Sequence, residues 1–227
     1  MNITILGGGA WGSALGIHFA KKNYKVRIWE FFAEQAKEMQ EFRHCPLMPQ
    51  VELPSNITIT SNMEESLKDS DLILLVVPSN TLEKTIENAK PFLKEQPILI
   101  CSKGFTSDQR LLHEVVSEMV ESEVYCLYGP TIALEVAEGQ KTGIVLAGKN
   151  KNEDLKKIVE SDYLKVDLSN DMIGVAVGSA LKNVVTIMVG IAEGLELGDN
   201  TKAYIFAKGI EEICKIGMAL GAKMESF

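Results

Sequence analysis

NITILGGGAWGSALGIHFAKK, residues 2–22, is the stretch from which the fold of this chain is read. A short apolar run with two isoleucines leads into Gly7-Gly8-Gly9-Ala10-Trp11-Gly12, and an amphipathic segment follows through Lys22. The order is strand, glycine turn, helix. A GxGxxG spacing alone is a weak signal, but one that leaves a strand and opens a helix has the context of a dinucleotide-binding turn. In that reading Gly7 makes the tight turn, Gly9 lets a pyrophosphate approach the backbone, and Gly12 lets the helix pack closely on the strand. The N–H groups of the helix then face the phosphates. The competing reading is a glycine-rich turn with no ligand.

Working outward, Lys25 to Trp29 is a second strand that ends at Glu30, eighteen residues past Gly12. That is close to where a dinucleotide fold places the carboxylate for the ribose hydroxyls, and a carboxylate there repels a 2′-phosphate, so NAD is favoured over NADP. A solvated glutamate opening the next helix is the alternative. Phe31 and Phe32 supply either an adenine wall or core. A helix to about Arg43, a loop with Pro46, Pro49 and Pro54, and a strand near Ile57 to Ile59 come next. The continuous apolar run Asp71 to Val77 suits a parallel strand covered on both faces. Asn80 with Glu83 offers a capping box for a helix to about Leu93. Pro97 to Cys101 is another buried strand, and it delivers Lys103 to the carboxyl edge of the sheet, where open parallel sheets hold ligands. A solvated loop lysine is the other reading.

A helix over 108–120 and a strand over 124–128 lead to Gly129-Pro130-Thr131, where Thr131 is expected to cap a helix from Ile132 to Glu138. Two more strands, 142–147 and 164–168, flank a charged helix over 152–161, and strand signals then cease. The expected architecture is α/β: a Rossmann-type, mostly parallel sheet domain over 1–169, followed by an incomplete all-helical substrate domain over 170–227. No internal repeat or low-complexity tract is evident.

The second part opens with DMIGVAVGSALKNVVTIMVGIAEG, residues 171–194. An ionised lysine among Val, Ile, Ala and Met is costly unless it is paired or its pKa is lowered. On a helix, Ser179, Lys182, Asn183, Thr186 and Gly190 share one seam. The run is nearly long enough to cross a bilayer, but Lys182 at mid-depth, the lack of a second span and the lack of a basic flank argue against that. Lys182 either snorkels to water along its apolar stem or does chemistry.

Composition narrows the classes. The 227 residues are 46% hydrophobic and 24% charged, with a net charge of −8, which disfavours a sequence-independent grip on nucleic acid or anionic lipid. Four scattered cysteines and three histidines suggest neither a metal site nor a disulfide framework. Met1 is followed by a strand rather than a leader, so a reducing cytoplasm is the expected home.

Together, GGGAWGSALG (7–16), VVPS (76–79), SKG (102–104), GPTIALEVA (129–137), GSALKNVV (178–185) and GDNTKA (198–203) resemble the NAD(P)-dependent sn-glycerol-3-phosphate dehydrogenases. The segments occur in the family's order across nearly the whole chain. The resemblance implies an oxidoreductase that interconverts dihydroxyacetone phosphate and glycerol 3-phosphate, a phosphorylated small molecule feeding phospholipid synthesis. It implies that Lys182 handles the proton at the substrate C2 oxygen, with Asn183 beside it. Lys103 would contact cofactor and substrate, while Gly129 and Thr131 would bind substrate. Ala10, Trp11, Phe31 and Ala133 would contact NAD or NADP, beside Gly7, Gly9, Gly12 and Glu30. A homodimer is also in keeping with the family. Family members continue past Phe227 with a functional aspartate and an Arg-Asn pair for the phosphate, so a fragment of a longer protein is the expectation. Two rivals stand beside this: another two-domain dehydrogenase of the ketopantoate or hydroxy-acid type, and a nucleotide-binding module without catalysis.

Overall fold

The structure is a computed structural model describing residues 1–227. The first half alternates strand and helix: β1 (Asn2–Leu6), α1 (Ala10–Lys21), β2 (Lys25–Trp29), α2 (Ala33–Phe42), β3 (His44–Cys45), β4 (Met48–Glu52), β5 (Ile57–Thr60), α3 (Met63–Leu67) and β6 (Leu72–Leu75). There follow α4 (Leu82–Ala89), β7 (Ile98–Ile100), α5 (Leu112–Met119), β8 (Val124–Tyr128), α6 (Ala133–Glu138), β9 (Thr142–Ala147), α7 (Glu153–Val159) and β10 (Leu164–Ser169). Beyond Ser169 come only α8 (Met172–Gly194), α9 (Asp199–Ala219) and a closing 3-10 turn.

Eight strands form one sheet in the order β10-β9-β8-β7-β6-β1-β2-β5, and β3 pairs with β4 in a separate hairpin. Every pairing in the large sheet is parallel except β8 with β9. Both faces are covered, which is why β6 reads LILL without alternation: Leu72 and Leu74 enter one core, Ile73 and Leu75 the other. β1 lies between β2 and β6, so chain order reverses direction there and a crevice opens beyond the strand ends. His18 on α1 is fully buried, with Nε2 at 2.7 Å from the Val159 carbonyl and Nδ1 at 2.9 Å from the Tyr163 hydroxyl. Burial pushes its pKa down to about 4, so it is a neutral pin between α1 and the segment before β10.

Several local expectations are corrected. Asn80 and Glu83 form no capping box: a 3-10 turn at Ser79–Thr81 precedes α4, and Thr81 occupies its N-cap without a side-chain bond. α5 begins four residues later than expected, because Thr106 and Asp108 close a turn through their side chains. The three-proline loop contains the β3–β4 hairpin, in which Cys45 lies 3.5 Å from the Gly8 carbonyl. α9 runs from Asp199 to Ala219 behind a Gly198 cap, so the 198–203 motif sits at its first turn. Nor is α8 buried all round, since Val184, Ile187, Met188 and Ile191 are exposed.

α8 is capped by Asp171, whose Oδ1 accepts the Gly174 N–H at 2.9 Å. The other oxygen accepts from the Lys223 N–H and the Ser226 hydroxyl, so one carboxylate ties the start of the long helix to the closing turn.

Candidate active site

The glycine turn has the geometry its spacing predicts. Gly7 has φ of +125°, and a Cβ there would lie 2.9 Å from the Val76 carbonyl. A Cβ on Gly12 would come within 1.9 Å of the Gly7 oxygen, so α1 sits directly on the turn that launches it. Gly9 differs: a side chain there would meet nothing within 4 Å, and the position faces open space.

That space is a cleft of about 920 Å³ at the carboxyl ends of β1, β2 and β6. Gly7, Gly9, Ala10 and Trp11 form one lip, Glu30 and Phe31 the second, and Ser102 with Lys103 the inner end. Glu30 is only 6% exposed, and its Oε1 accepts the Phe32 N–H at 3.1 Å. Its other oxygen is directed at Gly8, where a Cβ would stand 2.6 Å away. The carboxylate is therefore turned into the cleft, not outward to solvent. Phe31 and Phe32 are 67% and 64% exposed and meet edge to face with centroids 5.1 Å apart. Of the two roles open to this pair, an apolar wall fits and a core does not. The first N–H groups of α1 lack intrahelical partners and the Gly9 cap supplies no side chain, which suits an anion at the lip. The cleft, the open Gly9 and the inward carboxylate fit a dinucleotide.

The far wall was not anticipated. Asn80, Lys84 and Asn88 recur every four residues and present one polar stripe along α4 and the turn before it. The four-residue period is the signal for this stripe in the sequence, and reading Asn80 as a cap hides it.

At the inner end two lysines meet. The Lys182 ammonium donates to the Gly129 carbonyl at 3.0 Å, linking α8 to the loop after β8. The same carbonyl accepts the Thr131 N–H at 2.9 Å. Lys103 stands beside Lys182, and burial together with that neighbouring positive charge pushes its pKa down to about 8. Ser102 fixes the approach to Lys103 by donating to the Val77 carbonyl, while the Tyr128 hydroxyl donates to the Ser102 carbonyl at 2.8 Å. Ser102, the residue before the lysine, is thus tied to both neighbouring strand ends.

Thr131 does not cap α6: Ile132 occupies that position, and the Thr131 hydroxyl is buried without a partner. The structural role expected of it is absent, which leaves the hydroxyl available. Asn183 is exposed and takes no part in the Lys182–Gly129 joint. Ala133 opens α6 against the core and lies outside the cleft lining. Gly12 likewise serves packing and not the cleft surface. No group of His, Cys, Asp or Glu is arranged to hold a metal ion, and all four cysteines are unpaired thiols.

Comparison with known proteins agrees with this geometry. The profile of the NAD-dependent glycerol-3-phosphate dehydrogenase N-terminus matches residues 2–154, and that of the C-terminus matches residues 171–227. A glycerol-3-phosphate dehydrogenase [NAD(P)+] of Salinibacter ruber is 35% identical over the whole chain, which spans 69% of that protein. One from Fusobacterium nucleatum is 34% identical, with 70% of it spanned. The crystal structure of glycerol-3-phosphate dehydrogenase from Coxiella burnetii superposes with a TM-score of 0.94 at 33% identity, covering 99% of this chain and 71% of that one.

Proposed function

Because this chain belongs to the NAD-dependent glycerol-3-phosphate dehydrogenase family, we propose that Lys182 and Lys103 form the reacting end of its nucleotide cleft. The reaction is the interconversion of dihydroxyacetone phosphate and sn-glycerol 3-phosphate with NAD(P)H, which supplies glycerol 3-phosphate for phospholipid synthesis. Family membership sets aside the ketopantoate-type rival.

A bound nicotinamide dinucleotide supplies or takes the hydride at substrate C2. The protein has to manage the charge and the proton at the C2 oxygen. Lys182 gives that oxygen a proton during reduction and removes it during oxidation, with the Gly129 carbonyl orienting the amine. Lys103 places a second positive group beside the developing oxyanion and the phosphate. Thr131 offers a neutral hydroxyl to the substrate. Glycine-turn residues Gly7 to Trp11 and Phe31 hold the dinucleotide, with Glu30 accepting from ribose hydroxyls. The buried, inward carboxylate of Glu30 favours NAD over NADP, since a 2′-phosphate would meet a negative group. The observation that carries the reading is the Lys182–Gly129 hydrogen bond beside Lys103 at the inner end of the cleft.

The unit over 1–169 is read as dinucleotide-binding and 170–227 as part of the substrate-binding unit, supported by the last strand ending at Ser169. We read the protein as cytoplasmic, a reading that its four thiols support. α8 alone is long and apolar enough to cross a membrane, but its Lys182 is engaged at the sheet edge. The exposed apolar surface of α8 and α9 supports a homodimer.

The test follows NADH absorbance with dihydroxyacetone phosphate, using ketopantoate and unphosphorylated dihydroxyacetone as controls. Turnover of the first alone is expected. Lys182→Ala should lower kcat by ~10²-fold or more while NADH affinity stays within about twofold. Equal loss of NADH binding would make Lys182 structural, and NADH binding with no ketone reduced would favour a module without catalysis.

A further inference from the structure

Four buried side-chain polar atoms lack a partner: Trp11 Nε1, His113 Nδ1, Thr131 Oγ1 and Ser179 Oγ. One of them adjoins the joint where Lys182 meets Gly129, and another lies one helical turn before Lys182 on α8. Thr131 donates its N–H to the carbonyl that Lys182 also uses. Ser179 lies three residues before Lys182 on the same face of α8, in the turn over which the lysine stem leans.

Ser179 is 6% exposed. A serine buried in a helix ordinarily returns its hydrogen bond to the carbonyl one turn back, as Thr186 does to the Lys182 carbonyl at 3.1 Å. Ser179 does not. An unmet buried hydroxyl costs about 1–3 kcal/mol, so a site that keeps one next to its reacting lysine has a use for it or a molecule that satisfies it.

The kind of group that would satisfy it follows from the division of charge. The two ammonium groups suit the phosphate and the oxyanion, both of which only accept. A serine hydroxyl both donates and accepts, and its complement is another hydroxyl. On the proposed substrate, that leaves the primary hydroxyl at C1, next to the ketone. We infer that Ser179 is a specificity-determining residue whose hydroxyl, beside that of Thr131, recognises the C1 hydroxyl of the phosphorylated hydroxyketone. The inference rests on the function proposed above and deepens it.

A site built to bond a hydroxyl discriminates strongly against the analogue that lacks it. The test is a cycle of two changes, one in protein and one in substrate. Initial rates with NADH are measured on dihydroxyacetone phosphate and on hydroxyacetone phosphate, which lacks the C1 hydroxyl, for the parent chain and for Ser179→Ala. Binding of both compounds is followed by calorimetry. The parent is expected to prefer the hydroxylated substrate by ~10²-fold or more. In Ser179→Ala that preference should shrink by about tenfold, with the loss confined to dihydroxyacetone phosphate. Alanine is favourable in a helix and removes an unmet hydroxyl, so the melting temperature should hold or rise, which separates recognition from folding.

An unchanged preference in Ser179→Ala, or an equal loss for both compounds, overturns the inference while leaving the proposed function standing. A parent chain that neither binds nor reduces dihydroxyacetone phosphate overturns the function and the inference with it.

Discussion

Lys103 loses its charge in the range where enzymes are assayed. Burial and the adjacent Lys182 ammonium lower its pKa to about 8, so it is positive below that pH and increasingly neutral above it. A dianionic substrate is held best while the charge is present. kcat/KM for dihydroxyacetone phosphate should therefore fall as pH rises through about 8, because this quantity reports the free enzyme. Lys103→Arg, which keeps its charge at every accessible pH, should lower the rate but remove the fall. A parent profile flat from pH 7 to 9.5 would contradict this placement of the charge. The lysine itself was legible in sequence as a residue at a strand end. Its lowered pKa was not, because it comes first from burial, which only the folded chain creates, and then from Lys182 on α8, 79 positions away.

At the scale of elements, the glycine turn separates two jobs that sequence spacing runs together. Gly12→Ala would drive a Cβ to 1.9 Å from the Gly7 oxygen, so α1 must shift off its strand, with an expected loss of ~3 kcal/mol of stability in urea melts. Gly9→Ala meets no protein atom and should melt like the parent, yet bind NADH at least tenfold more weakly where its methyl crowds the pyrophosphate. If both variants unfolded together, or Gly9→Ala kept full NADH affinity, the open side of Gly9 would not be the nucleotide face. The strands β2, β8 and β9 were readable to the residue, since apolar runs bounded by Gly, Pro or charge leave little choice. Helix starts were not. Thr131 and Asn80 both look like caps in one dimension, and in both cases the cap falls one residue later, at Ile132 and Thr81, neither of which caps through its side chain.

For the whole molecule, the dominant unmet demand is the apolar surface after Ser169. Val184, Ile187, Met188 and Ile191 on α8 and Tyr204 and Phe206 on α9 are all about half exposed or more, and a groove of about 320 Å³ runs between the two helices. Surfaces of this kind mark interaction sites. Sedimentation velocity should show a dimer, and Ile187→Glu with Met188→Glu should shift it to monomer without moving Lys182. A monomeric parent at micromolar concentration would rule out the proposed assembly. Sequence shows this region as apolar helices with one polar seam through Lys182, but not which apolar faces stay open, because that depends on what packs against them.

The Gly129 carbonyl that receives the Lys182 amine follows β8 directly, and a Cβ on Gly129 would stand 2.7 Å from the Gly143 oxygen of β9. The two strands run oppositely there, with Tyr128 facing Val145. The one reversed pairing in the sheet thus acts as a ruler for the reacting amine. Slipping that pairing by a single residue would carry the carbonyl ~3.4 Å along the strand, beyond reach of a hydrogen bond. The position of the proton donor, on a helix beyond the sheet, is in this way graduated in units of strand register.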